Sequence, residues 1–191
     1  MIVIGNGESR KVVDLDKLSG PKIGCNSIYK ETFVDHLVCV DSKPFRDSCS
    51  AQMEDMAIWT RPQYIKSEHA NPLPTPPQGS QRADNAIHWG SGPYAVLLAT
   101  LFSNNISLIG FDLYSSNGLV NNVYKDTDNY SASTSVAVDP KYWIYQISRV
   151  FVEHPDKYFT VFNNSNWKMP ESWHLANVTF KNLDTLTVIP I

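Results

Sequence analysis

The chain has 191 residues, of which 42% are hydrophobic and 18% charged, so a single domain can bury a core without disulfides, and a disordered chain is excluded. A net charge of -3 with no evident stripe of Lys and Arg makes extended nucleic acid an unexpected partner. The longest apolar run, residues 94–102, is too short to cross a bilayer. The three cysteines lack metal-ligand spacing, and their odd number predicts reduced thiols in the cytoplasm.

Short apolar runs that end in Gly, Asn or Asp predict the strands of the fold. Strands of a parallel sheet are buried on both faces and deliver polar residues to a crevice at their carboxyl ends. The residues at the start of the chain, which carry no basic segment, predict the first of these strands and not a signal peptide. The predicted strands are residues 2–4, 22–25, 37–40, 107–109 and 159–162.

Helices are predicted between these strands. Apolar spacing favours helices over residues 12–18, 52–59 and 93–102, and a further helix over 140–151 begins with Asp139 as its cap and Pro140 at its first position. Strands that alternate with helices predict an α/β fold. We therefore expect a single Rossmann-like domain over residues 1–191, with a mostly parallel sheet and helices on both faces.

Three segments do not fit regular elements. Residues 70–82 contain four prolines and predict an exposed extended loop, with a domain linker as the alternative. Residues 113–139 are polar and predict a functional lid segment, because long loops in compact domains usually carry function. Residues 167–191 are irregular, although 185–191 are typical of an edge strand limited by Pro190.

Two glycine-containing turns are candidates for binding a phosphate. Gly5-Asn6-Gly7 follows the first strand, where glycines permit close approach of the backbone to an anion. Glu8 does not suit such a loop, so it either points away or caps the following helix. Ser91-Gly92 precedes the apolar helix, where Ser91 either donates its hydroxyl to a ligand or caps that helix.

Further candidates follow the strand at residues 107–109. Asp112 holds a ribose or orders its own loop. Tyr114 and Tyr124 either hydrogen-bond a leaving phosphate or serve as aromatic residues that pack within the loop. The five histidines show no zinc-binding spacing, so no metal site is expected, although His88 lies near the Ser91 turn. Neither a Gly-x-Ser-x-Gly elbow nor a Walker loop is present, which disfavours hydrolase and P-loop chemistry.

Taken together, these positions resemble bacterial sialyltransferases that modify lipooligosaccharides. They are similar also to a wider Rossmann-like set that includes archaeal-type 6-hydroxymethylpterin diphosphokinases and uncharacterised phage proteins. The resemblance covers roughly residues 2–164. It is carried by Gly5-Asn6-Gly7-Glu8-Ser9, Cys25-Asn26, Ser91-Gly92 ahead of an apolar helix, and Ile109-Gly110-Phe111-Asp112-Leu113-Tyr114.

The resemblance implies a nucleotide site and two tyrosines that stabilise charge on the leaving phosphate without a metal. The implied catalytic residues are Tyr114 and Tyr124. The implied nucleotide-binding residues are Gly5, Asn6, Gly7, Asn26, Ser91 and Gly92, to which position adds Asp112.

Two departures from the family concern catalysis. Glu8 stands where the family has proline, and the family's general-base histidine has no counterpart between Tyr114 and Tyr142. An acceptor hydroxyl would then need another base, such as Asp126, Asp128, Asp139 or a histidine from elsewhere.

The leading function is transfer of a sugar or related group from a nucleotide-activated donor, with a CMP-type donor favoured and no cofactor required. One alternative is diphosphoryl transfer of the pterin-kinase type, which needs Mg²⁺ and carboxylates such as Asp41 and Asp112. Another is a non-catalytic nucleotide-binding protein. The acceptor stays open, as does assembly into a homo-oligomer.

Overall fold

The structure, a computed structural model, describes residues 1–51, 53, 55–65 and 70–186. These residues contain eight strands and three α-helices, joined by several short 3-10 turns. The strands are β1 (Ile2–Ile4), β2 (Lys22–Cys25), β3 (His36–Cys39), β4 (Ala57–Thr60), β5 (Ala70–Pro72), β6 (Asn105–Ile109), β7 (Tyr158–Asn163) and β8 (Val178–Asn182). The helices are α1 (Ser42–Ser50), α2 (Ser91–Ala99) and α3 (Lys141–Glu153).

The strands form one sheet in the order β5-β4-β3-β2-β1-β6-β7-β8. Every neighbouring pair is parallel. The chain winds outward from β1 to β5 and then returns to the other side of β1 with β6. The strand order therefore reverses between β1 and β6, and such a switch point opens a crevice at the carboxyl ends of the two strands.

Two cores cover the two faces of the sheet. Alternate strand residues point to opposite faces, so that Val3, Ile23 and Leu108 pack with α2 and α3, while Ile2 and Ile4 pack with Phe45 of α1 and with the 3-10 turns. Helix α2 is buried all round except at one position, as expected for a helix without a polar face. The predicted single Rossmann-like α/β domain with helices on both faces is confirmed.

Two predicted helices are wrong. Residues 12–18 form no α-helix, because the chain there makes the 3-10 turns Glu8–Val12 and Leu15–Lys17. In the helix predicted over residues 52–59, residues 57–59 belong to strand β4. The helix before this strand is α1, which ends earlier, at Ser50. Residues 52 and 54 lie outside the described residues. The sequence Ala57-Ile58-Trp59-Thr60 is rich in β-branched and aromatic side chains, which favour a strand.

The segments at the sheet edges also differ from expectation. Residues 70–82 begin with β5 at the edge of the sheet, and Leu73 is buried, so this segment is an exposed loop only in part. Strand β8 was not predicted. In the predicted edge strand 185–191, the first residue belongs to the 3-10 turn Leu183–Thr185, and residues 187–191 lie outside the described residues.

The predicted lid, residues 113–139, connects β6 to α3. It contains no helix and no strand, and its one bridge joins Leu119 to Val136. The helix predicted over 140–151 is confirmed as α3, but its predicted cap is wrong. The helix begins at Lys141 with Pro140 as its N-cap, so Asp139 lies one residue before the cap, where its carboxylate accepts a hydrogen bond from the backbone N–H of Lys141. None of the helices in the described part of the chain is long and apolar enough to cross a membrane.

Candidate active site at the switch point

The carboxyl ends of β1 and β6 pack together through two glycines. The backbone N–H of Gly5 donates to the oxygen of Ile109 (2.8 Å), and that of Gly7 donates to the oxygen of Gly110 (2.8 Å). A Cβ atom on Gly5 would lie 2.5 Å from the oxygen of Gly110, whose own φ is +73°. Only glycine fits both positions, because one has no room for a side chain and the other has a left-handed backbone.

A cavity of about 470 Å³ opens beside this contact, a size common to sites for small organic ligands. Its walls come from the ends of β1, β2, β3, β4 and β6, from the loop before α2, from α3 and from the lid. All seven residues predicted for the nucleotide site line it: Gly5, Asn6, Gly7, Asn26, Ser91, Gly92 and Asp112.

The carboxylate of Asp112 is engaged within the protein. It accepts hydrogen bonds from the backbone N–H of Ser9 (2.9 Å) and from the Ser9 hydroxyl, and Asn163 Nδ2 lies 3.5 Å from Oδ1. A Cβ atom on Gly7 would lie 2.7 Å from Asp112 Oδ2 and nearer still to Oδ1. Of its two predicted roles, the structure therefore supports the ordering of the loop, and it leaves Asp112 little capacity for a ribose.

The glycine loop has few free backbone donors. The N–H groups of Gly5, Gly7, Glu8, Ser9 and Arg10 all donate to acceptors within the protein. A loop that holds phosphate needs several N–H groups directed at the ligand. This loop is thus a poor phosphate cradle, in contrast to the sequence-based interpretation.

Glu8 points away from the cavity. Its carboxylate pairs with Lys11 and with Lys125 of the lid, and it is not among the residues that line the cavity. The predicted conflict between an acidic side chain and an anionic ligand is therefore absent here, because the charge is neutralised on the outer side of the loop.

Asn6 and Asn26 line the same cavity from adjacent strand ends, as the switch-point rule predicts. Asn6 Nδ2 donates to the hydroxyl of Tyr130 (3.2 Å), and its Oδ1 is buried without a donor. Asn26 has a φ of +54°, a left-handed conformation that asparagine tolerates. Buried amide atoms that lack partners favour a polar ligand or water in the cavity.

Ser91 joins two strand ends and does not cap its helix. Its hydroxyl donates to Asn26 Oδ1 (3.0 Å) and accepts from the backbone N–H of Val40 (3.3 Å). The N-cap of α2 is Gly90, and no side chain caps it. The capping interpretation is wrong, and a ligand could use only the lone pair that remains on the hydroxyl.

The two predicted catalytic tyrosines lie outside the cavity lining. Tyr114 is 43% exposed, and Tyr124 is 8% exposed with its hydroxyl bonded to Arg10 Nη2 (2.9 Å). Burial raises the pKa of Tyr124 far above its ordinary value. The phenol that lines the cavity is Tyr130, whose pKa burial raises to about 12. Its place among the polar residues of the lid was the only sequence signal for it.

Further residues line the cavity, of which Asp41 was named only for the Mg²⁺ alternative and His88 only for its nearness to the Ser91 turn. Asp41 and Arg61 follow β3 and β4, His88 precedes α2, and Trp143 belongs to α3. Arg61 was missed because residues 57–59 were predicted as part of a helix. No strand was therefore expected to end just before Arg61 and place it at the crevice. His88 Nε2 accepts from Arg82 Nε (3.2 Å), which leaves Nδ1 as the ring atom that can donate. The proposed bases Asp126, Asp128 and Asp139 are exposed and do not line the cavity.

The lid is docked across the carboxyl edge of the sheet. Val123 N donates to the backbone oxygen of Asn6 (2.9 Å). Farther along the lid, Lys43 Nζ donates to the Asp128 oxygen (2.6 Å), and Asn129 Nδ2 donates to Asp47 Oδ2 (2.7 Å). The lid therefore reaches from β6 to α1 and forms one wall of the cavity.

Comparison of the chain with known protein families, curated proteins and solved structures gave no significant match. Within the described ranges, no three His, Cys, Asp or Glu side chains come together as metal ligands. What the cavity binds therefore has to be inferred from its own residues.

Proposed function

We propose that the cavity binds a nucleotide-linked donor and that the protein transfers a sugar or related group from it, with a CMP-type donor favoured. The observation that carries the proposal is that one cavity at the switch point is lined by Asn6, Asn26, Ser91 and Tyr130 of the lid. These groups are mostly neutral hydrogen-bonding side chains, which suit a nucleoside and a sugar. We place the reaction in the cytoplasm, where the three thiols would remain reduced.

Tyr130 is our candidate for stabilising the leaving phosphate. Its hydroxyl faces Asn6 from the lid, and with a pKa of about 12 it remains a proton donor throughout the physiological pH range. A neutral donor can stabilise charge that develops on a leaving oxygen. Tyr130→Phe is expected to lower kcat with a small change in nucleotide affinity, whereas Tyr114→Phe and Tyr124→Phe serve as controls that test the roles first assigned to these two tyrosines.

Asp41 is our candidate for the general base. Of the two carboxylates in the lining, Asp112 is held by Ser9, whereas Asp41 is exposed and accepts no side-chain hydrogen bond within the described residues. His88 presents a donor in this arrangement because its Nε2 is occupied. Asp41→Asn is expected to lower turnover with nucleotide affinity retained, since a base acts on the acceptor.

The diphosphoryl-transfer alternative has weaker support. It needs carboxylates free to bind Mg²⁺, and of its two candidates only Asp41 has free oxygens, because those of Asp112 are engaged. A non-catalytic nucleotide-binding protein would share the cavity with the leading proposal and would differ in turnover alone.

Thermal-shift measurements with CMP, UDP, GDP and ATP, each with and without Mg²⁺, test the proposal. A ligand that binds only the folded state raises the apparent Tm. A shift with CMP or UDP, followed by turnover of the matching sugar donor, is the expected outcome. A shift with ATP only when Mg²⁺ is present would favour diphosphoryl transfer. Binding without turnover of any donor would leave a binding protein, and no shift with any nucleotide would contradict the proposal.

A further inference from the structure

Arg61 places a guanidinium in the wall of the cavity at the end of β4. Its Nη2 donates to the backbone oxygens of Ile87 (3.0 Å) and Trp89 (3.1 Å). These two carbonyls fix the side chain in one position. The Nε atom is buried and has no acceptor among the described residues.

No carboxylate pairs with this guanidinium among the residues that the structure describes. Asp41, on the neighbouring strand end, also lines the cavity but lies beyond ion-pair distance. Holding a cation in a partly buried wall without a counterion costs free energy, since desolvation is not offset by an opposite charge. An anionic ligand in the cavity would supply that charge.

The start of α2 lies next to Arg61 and adds donors. The first N–H groups of a helix have no acceptor within it, and Ser91 and Gly92, the first two residues of this nine-residue helix, line the cavity. Trp89, also in the lining, is 1% exposed, and its indole N–H is buried without an acceptor in the part of the chain that the structure describes. Unsatisfied donors and a fixed cation therefore share this part of the wall.

The glycine loop offers fewer such groups, because the N–H groups of Gly5, Gly7, Glu8, Ser9 and Arg10 are engaged within the described residues. We propose that Arg61, together with the start of α2, binds the phosphate of the ligand. The ligand class is thus a nucleotide whose phosphate is anchored by a guanidinium in the cavity wall, and Arg61 selects phosphorylated over unphosphorylated nucleosides. This inference rests on the proposed nucleotide site.

The test compares CMP with cytidine on the full chain by calorimetry. In the wild-type protein CMP is expected to bind about 10- to 100-fold more tightly than cytidine, the range expected for charge-assisted hydrogen bonds. In Arg61→Met most of this preference should be lost while cytidine affinity is retained, because only the start of α2 still faces the phosphate. Arg61→Lys, which keeps the charge, should retain part of the preference. Arg46→Met, at an exposed position of α1, is the matched control and should behave as wild type.

The preference is a ratio within one protein, so lower stability of a variant does not obscure it. A preference for CMP that is undiminished in Arg61→Met would overturn the inference and leave the nucleotide site standing. If neither CMP nor cytidine binds the wild type, inorganic phosphate becomes the probe. A Tm rise with phosphate in the wild type, absent in Arg61→Met, would support the anion site although the proposed function had failed. No response to phosphate either would overturn both.

Discussion

Gly7→Ala tests whether this glycine serves the fold or the ligand. A Cβ atom at position 7 would lie 2.7 Å from Asp112 Oδ2 and nearer still to the rest of that carboxylate. The carboxylate has little freedom to move, since it holds the backbone N–H and the hydroxyl of Ser9. Making room would break at least one of these charge-assisted bonds, so the free energy of unfolding should fall by about 2–3 kcal/mol.

Urea unfolding and thermal melts measure this effect. For a chain of this length the loss corresponds to a fall in Tm of about 4–12 °C. Gly92→Ala is the matched control. A Cβ atom at position 92 would lie 3.4 Å from Phe111 Cε1, which is ordinary contact, and the position is helical, so its stability should be unchanged or slightly raised.

A double variant separates the two explanations further. Asp112→Ala removes the carboxylate that the new methyl group would meet, so Gly7→Ala should cost much less in that background. Equal destabilisation by Gly7→Ala with and without Asp112 would refute this explanation. So would a Gly7→Ala protein of wild-type stability that had lost nucleotide binding, because the glycine would then be required by the ligand.

Three further predictions concern stability and reactivity. Burial is the largest single effect on the pKa of Glu31 and raises it, but the ion pair with Arg10 and the hydrogen bond with the phenol of Tyr124 together lower it more, so the pKa lies below its ordinary 4.5. The ionised Glu31 therefore stabilises the folded state above pH 4.5, and this contribution is lost as the pH falls through the lowered pKa. Glu31→Gln should therefore lower the free energy of unfolding by about 1 kcal/mol at pH 7 in urea melts, and the difference should shrink as the pH falls below 4.5 and Glu31 becomes protonated. Ser91→Ala should cost about 1–2 kcal/mol in the same assay, because the Val40 N–H loses its acceptor; an unchanged stability would contradict this. Burial raises the pKa of Cys25 to about 12, so thiol titration at pH 8 should count fewer than three thiols in the native protein and three in denaturant.

The strands β1, β2, β3, β6 and β7 and the seven nucleotide-site candidates were predictable because their signals are local. Each central strand is a short apolar run, and the residue at its end enters the crevice whichever strands become its neighbours. This is why Asn6, Asn26 and Asp112 were found without knowledge of the strand order. Ser91 was found because small residues precede the apolar helix α2, although its partner Val40 could not be foreseen.

The remaining features depend on contacts between distant parts of the chain. Arg61 was missed because Ala57-Ile58-Trp59-Thr60 has apolar spacing compatible with either a helix or a strand, and only pairing with β3 settles it. Tyr124 and Tyr130 are alike in sequence context. Their roles differ because Arg10 binds one hydroxyl and Asn6 binds the other, and no local pattern predicts these partners.

The position of β1 between β2 and β6 also bears on how the chain folds. The first half of the sheet, β1 to β5, pairs in chain order and can grow by local steps, but the contact of β1 with β6 joins residues such as Ser9 and Asp112 that are 103 positions apart. Closing so long a loop is entropically costly and slow. During synthesis one edge of β1 therefore stays unpaired until β6 has emerged. The cavity cannot exist before that moment, so ligand binding would report completion of the fold in a growing chain.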